Sequence, residues 1–275
     1  MSMSSRLPVC LLVLALTVLS VGCGTLPGPT AKAPDIAFTA ANRPTFVVAY
    51  YPYDCCVPRH QAAPIPNYNN WTNGRMVRDL RRFKEIGFTT VLVSISADQI
   101  NEEFAVERVL QFIGEADRLG GPKVVLLIGS GQTPLRRDVL ARRLLTARIQ
   151  VSKQALQEDG RPLVYLRPEV DVIGESHPAL MFQTMPKGEW YWAVAGTVSG
   201  QELRRDGGDM LRHSIWQGYL EHRPNLVITW NDFATGNFVE PNSYDESLAS
   251  DIVLAEIRRV QNAVEAAGNA PSLAD

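Results

Sequence analysis

Seven short runs of consecutive apolar residues, many β-branched or aromatic, recur along this chain and constrain its fold more than any other feature. They are 46–51 (FVVAYY), 89–95 (TTVLVSI), 123–128 (KVVLLI), 163–166 (LVYL), 180–184 (LMFQT), 190–195 (WYWAVA) and 226–230 (LVITW). A strand that is apolar at successive positions is buried on both faces, as parallel strands covered by helices are. Segments with helical spacing lie between the runs. In 75–86 the apolar positions are Met76, Val77, Leu80, Phe83 and Ile86, and Gly87 closes the segment. Further helices are predicted over 104–119, 135–157, within 201–222 and over 247–266. This alternation predicts an α/β fold, a (β/α)8 TIM-type barrel with one strand degraded or hidden in a loop. The other arrangement, an open doubly wound sheet, is disfavoured because no Gly-rich phosphate fingerprint follows the first strand.

The chain has 275 residues, enough for one barrel-sized core, and shows no internal repeat. The net charge is −2 and the pI about 6.1, so there is no basic footprint for nucleic acid.

The N-terminus reads as a targeting segment. Arg6 is followed by the apolar stretch 7–21, which is short for a spanning helix, and by Gly22-Cys23. This resembles a bacterial lipoprotein signal, with Cys23 as the lipidated first residue of the mature chain. The expected division is a signal peptide over 1–22, a tether over 23–43, the barrel over 44–268 and a tail over 269–275. The expected location is the bacterial cell envelope, on the outer membrane or facing the periplasm, with the lipid as the only membrane attachment. Cys55 and Cys56 then remain as either a strained vicinal disulfide or two separate thiols. No Cys or His spacing fits a metal site, and no cofactor is expected.

In a parallel β/α barrel the chemistry sits where the strands end. The last run leads into Asn231, Asp232, a small-residue turn through Ala234, Thr235, Gly236 and Asn237, and then Phe238-Val239-Glu240-Pro241. The first run opens into Tyr53 and Asp54, and the fourth into Arg167, Glu169 and Asp171.

The stretch 230–241 resembles the N-E-W-x-E-G…E-P signature of glycoside hydrolase family 99 and related polysaccharide-biosynthesis proteins. It is also similar to the W-N-D-F-x-E-S of glycoside hydrolase family 71. Trp230-Asn231-Asp232-Phe233 matches the second wording, and Gly236 with Glu240-Pro241 matches the first. Ala49-Tyr50-Tyr51-Pro52, Asp159-Gly160-Arg161-Pro162 and Ala195-Gly196-Thr197 stand where family 99 has Y-Y-P, D-G-K-P and P-G-W. The resemblance implies a TIM-type barrel that acts on or binds glycans. In that family the first carboxylate of N-E-W-x-E deprotonates the sugar 2-hydroxyl and the second protonates the leaving group.

Here the first position is Asp232, but the second is Thr235, which is no acid near neutral pH. The catalytic expectation is therefore Asp232 as base or stabiliser, with Glu240 or a rim carboxylate as acid. Tyr51, Tyr53, Asp54, Trp71, Glu169 and Asn231 are the expected substrate contacts, the aromatic members as platforms for sugar rings. Trp192 and Trp230 would instead be core residues if they point between sheet and helices. The expected function is a glycoside hydrolase-like lipoprotein acting on an envelope or extracellular polysaccharide or oligosaccharide. The alternative is a non-catalytic glycan-binding or polysaccharide-assembly lipoprotein that has lost its acid at Thr235.

Overall fold

The computed structural model describes residues 32–52, 72–101, 103–199, 202–232, 237–242 and 246–268. The main sheet among these residues has eight strands, a short antiparallel one (Gln157–Glu158) paired with Arg161–Leu166 and seven parallel ones: β1 (Thr45–Tyr50), β2 (Thr90–Ser96), β3 (Lys123–Gly129), β4 (Arg161–Leu166), β5 (Met181–Thr184), β6 (Trp190–Ala193) and β7 (Asn225–Thr229). Their hydrogen-bonded order is β5-β4-β3-β2-β1-β7-β6. Successive strands are therefore neighbours throughout, except that β5 and β6 stand at the two ends. A doubly wound sheet would instead reverse direction at a switch point. Among the described residues no ladder joins β5 to β6, and no eighth strand extends the parallel array.

The principal helices are α1 (Asn73–Ile86), α2 (Glu103–Leu119), α3 (Arg137–Thr146), α4 (Asp209–Leu220) and α5 (Leu248–Gly268). Helix α1 shows how local chemistry sets the ends. The Thr72 side chain accepts from the Arg75 amide, and Gly87, at φ 102°, returns its N–H to the Phe83 carbonyl.

Strand alternation divides the apolar residues into two cores. Phe46, Val48, Tyr50, Leu226, Ile228 and Trp230 face the helices and join the larger core with Met76, Leu80 and Phe83. Val47, Ala49, Leu92, Val125, Leu127, Leu163 and Val227 fill the sheet's other face, joined by Tyr51, Tyr165, Trp190 and Trp192. The runs look uniformly apolar because both faces are covered.

Two stretches differ from expectation. The helix predicted over 135–157 ends at Thr146, and a short 3-10 turn follows at Ile149–Val151. The Ser152 hydroxyl accepts from the amides of Gln154 and Ala155, and Asp117 also accepts from Gln154. These side chains offer the backbone partners that a continuing helix would not. The folded body also reaches into 23–43: Phe38 is buried, its ring edge-on to Tyr219 at 5.2 Å. No helix among the described residues is long and apolar enough to cross a membrane.

Candidate active site

The site lies on the inner face of the sheet, at the C-terminal ends of its strands. Continuing the registers Ala49↔Leu92, Ala49↔Thr229 and Leu127↔Tyr165 by two residues brings Tyr51, Ser94, Asn231 and Arg167 to this end. Arg167 donates from Nη2 to the Tyr51 hydroxyl oxygen at 3.1 Å, and its guanidinium lies 5.5 Å from the centre of the Trp192 ring. Asp232 is half-buried and close enough for its charge to act on the Tyr51 phenol.

Burial pushes the Tyr51 phenol above its ordinary range. Arg167 opposes this, Asp232 adds to it, and hydrogen bonds with Ser94 and Arg167 oppose it. The phenol keeps its proton at neutral pH. The result is a neutral hydroxyl held by a cation and within reach of a carboxylate's charge, on the face of the sheet that includes Tyr165, Trp190 and Trp192.

Asn231 is fully buried and acts as a clasp. Its Oδ1 accepts from the Tyr51 amide at 2.8 Å, and its Nδ2 donates to the Tyr51 carbonyl at 2.9 Å. The side chain thus continues the β1–β7 ladder where the strand bends away. The chain then turns back, pairing Asn231 and Asp232 with Phe238 and Asn237. Asn237 fixes this turn by donating to Thr229 Oγ1 at 3.2 Å and accepting from the Ala195 amide at 2.8 Å. Asp232 is therefore carried on a short hairpin tied to β6 and β7.

Glu240 occupies the other face. Its side chain is 1% exposed, and Oε1 takes an ion pair from Arg78 of α1 at 3.0 Å. Its amide donates to the carbonyl of Trp230, whose ring packs outward on Phe83 at 5.0 Å. Arg78 also binds Asp79 at 2.6 Å, and Asp79 accepts from the Tyr50 hydroxyl at 2.8 Å. Burial pushes the Asp79 carboxyl up, against the pull of Arg78 and Arg75. Glu240 and Trp230 line a cleft of about 340 Å³ against α1, with Arg78, Arg81 and Arg82.

Of the expected site residues, Tyr51, Asn231 and Asp232 meet at the mouth, and Glu240 lies in the layer between sheet and α1. Glu169 and Asp171 are exposed in the loop after β4, directly beyond Arg167. Trp192 faces the inner side and Trp230 the helices. Tyr53, Asp54, Trp71, Thr235, Cys23, Cys55 and Cys56 lie outside the described residues. Arg167 was not among the expected contacts. The alternation Leu163, Tyr165, Arg167 is the signal that directs it inward.

No protein-family model and no curated protein matches this chain. Solved structures do. The family 99 endo-α-mannosidase of Bacteroides thetaiotaomicron superposes with a TM-score of 0.52 at 10% identity, covering 79% of this chain and 98% of that one. The same enzyme in complex with bis-tris propane gives 0.51 at 12% identity, over the same shares. A glycoside hydrolase-like protein gives 0.50 at 9% identity, covering 85% of this chain and 97% of that one. At such identities the likeness is one of fold, and the fold is of the glycoside hydrolase family 99 type.

Proposed function

We propose that this chain is a glycoside hydrolase-type protein with a (β/α)8-type barrel, acting on an envelope or extracellular polysaccharide or oligosaccharide. In this reading it is attached to the bacterial envelope by lipid on Cys23. The observation that carries the reading is the mouth itself, where the charge of Asp232 acts on the protonated Tyr51, Arg167 binds the Tyr51 hydroxyl, and the Trp192 ring lies against the guanidinium. One carboxylate, one neutral hydroxyl and aromatic faces at the C-terminal ends of parallel strands suit a sugar and its developing charge. The family 99-type fold and the sequence likeness of 230–241 support the same assignment.

Cleavage of a glycosidic bond needs one group to take a proton from the nucleophile and one to give a proton to the leaving oxygen. Asp232 serves as the base. Glu240 is committed to Arg78 on the far side of β7, so the acid falls to a rim carboxylate. Among the described residues Glu169 is the best placed, being exposed two positions beyond Arg167. The Tyr51 hydroxyl steadies the sugar beside Asp232, and Asn231 holds the strand end from which Tyr51 projects.

A specific observation favours a second reading. With Thr235 at the family's second acidic position and Glu240 ion-paired with Arg78, the mouth can hold a glycan without cleaving it.

Release of reducing ends from a panel of α-mannans, α-glucans and bacterial exopolysaccharides separates the two. Cleavage abolished by Asp232→Asn and strongly slowed by Glu169→Gln supports the hydrolase. Binding without cleavage supports the second reading, and neither binding nor cleavage overturns both. Incorporation of labelled fatty acid, abolished by Cys23→Ala, tests the anchor.

A further inference from the structure

We infer that the mouth is built for a negatively charged glycan, with Arg167 as the residue that recognises the anionic group. The inference rests on the reading of the mouth as a glycan site and adds the class of glycan.

Several arginines packed against the fold are matched to carboxylates. Arg75 and Arg78 meet Asp79, Arg78 also meets Glu240, and Arg259 meets Glu256. Arg167 differs. Among the described residues its one side-chain hydrogen bond runs to a neutral phenol, and no carboxylate lies within ion-pair distance. The residue is half-buried and inward-facing, so its charge is not simply dispersed in solvent.

The guanidinium is also held in place. The Trp192 ring supports one face and Tyr51 takes one N–H. The remaining N–H groups form a fixed planar fork suited to two-point binding of a carboxylate, sulfate or phosphate oxygen pair. A neutral sugar hydroxyl would leave most of that capacity unused. The shared chemistry is an anionic substituent on the sugar, either a uronate carboxylate or an ester sulfate or phosphate.

The test is equilibrium binding by the full chain in detergent micelles. The probes are a uronate-bearing exopolysaccharide and its carboxyl-reduced form, and a sulfated mannan and its desulfated form. The charged member of a pair should bind roughly 10- to 100-fold tighter, the range a hydrogen bond to a charged group supplies, and should weaken as salt rises. Whichever pair shows the preference identifies the source of the charge. Arg167→Gln should collapse the preference to about twofold or less, and Arg167→Lys should keep part of it, because the charge remains and the fork is lost. The comparison of pairs on the unaltered chain needs no variant, so it stands even if Arg167→Gln folds poorly. Equal binding of charged and neutral members overturns the inference and leaves the glycan reading intact. A preference that survives in folded Arg167→Gln overturns the role of Arg167. Failure to bind any of the four overturns the glycan reading itself.

Discussion

Tyr165 of β4 and Trp190 of β6 meet edge to face with ring centroids 5.6 Å apart, although five strand spacings separate their strands along the hydrogen-bonded sheet. A flat sheet would hold them roughly 24 Å apart at the usual spacing of about 4.8 Å. The sheet therefore curls until its two ends face each other across an aromatic interior. That curvature brings Arg167, just past the end of Tyr165's strand, over Trp192 and up to Tyr51.

Glu240 and Asp232 separate cleanly by their expected effects. Glu240→Ala removes one of the two buried carboxylates that the partly exposed Arg78 binds, and should cost about 1–3 kcal/mol of stability. Asp232→Asn should change stability by less than about 0.5 kcal/mol while lowering any cleavage rate by about 10²- to 10⁴-fold. Urea unfolding beside rate measurements checks the pair, and a reversal of the two effects would return Glu240 to the chemistry.

Asn231 binds both the amide and the carbonyl of Tyr51 from a buried position. Asn231→Ala strands one donor and one acceptor and should cost about 2–6 kcal/mol, at about 1–3 kcal/mol for each unmatched group. Asn231→Asp keeps the acceptor but loses the donor facing the Tyr51 carbonyl, so it should not rescue. Thermal melts of both variants decide this; a stable aspartate variant would contradict the clasp.

Gly218 lets α4 approach the sheet closely. A Cβ there would collide with Leu226 and meet Tyr191 at 3.0 Å. Alanine is intrinsically better than glycine within a helix by about 1 kcal/mol. Crowding should outweigh that preference and leave Gly218→Ala less stable by about 1–3 kcal/mol. A stabilised variant would show that the helix can move away without loss.

The alkaline limb of stability carries the signature of buried phenols. Burial is the largest cause raising Tyr51, Tyr165 and Tyr219 above the ordinary value of 10.0, with neighbouring carboxylates adding to it in each case. Unfolding lowers these values, so the unfolded chain loses protons first. Their contribution is complete below about pH 10 and is lost as pH rises through the folded values. Absorbance titration at high pH should show fewer than the chain's eight tyrosines ionising before unfolding releases the rest. Tyr51→Phe should reduce the late group by one.

The sheet was legible because a strand covered on both sides is written as an unbroken apolar run, and all seven runs became strands. The helix after β3 was not, because Ser152 and Asp117 turn the backbone through contacts that no periodicity records. Tyr51, Asn231 and Asp232 were legible as residues at the ends of buried strands. The position of Glu240 on the helix side was not legible, because chain order does not say which face a returning loop will cover. Its amide bonds to the Trp230 carbonyl and its carboxylate turns to α1. Arg167 was passed over because the glycan expectation at the strand ends pointed to carboxylates and aromatic rings rather than to a cation.

The clasp between Asn231 and Tyr51 joins residues 180 positions apart. Strand β1 gains β2 early in synthesis, but its other edge waits for β7, the last strand of the main sheet to be made. Until then the nascent chain carries an apolar, unpaired edge that can accept any passing strand. Products that stop short of residue 225 should be the sticky ones, and completion of β7 is the step that makes the chain safe to release.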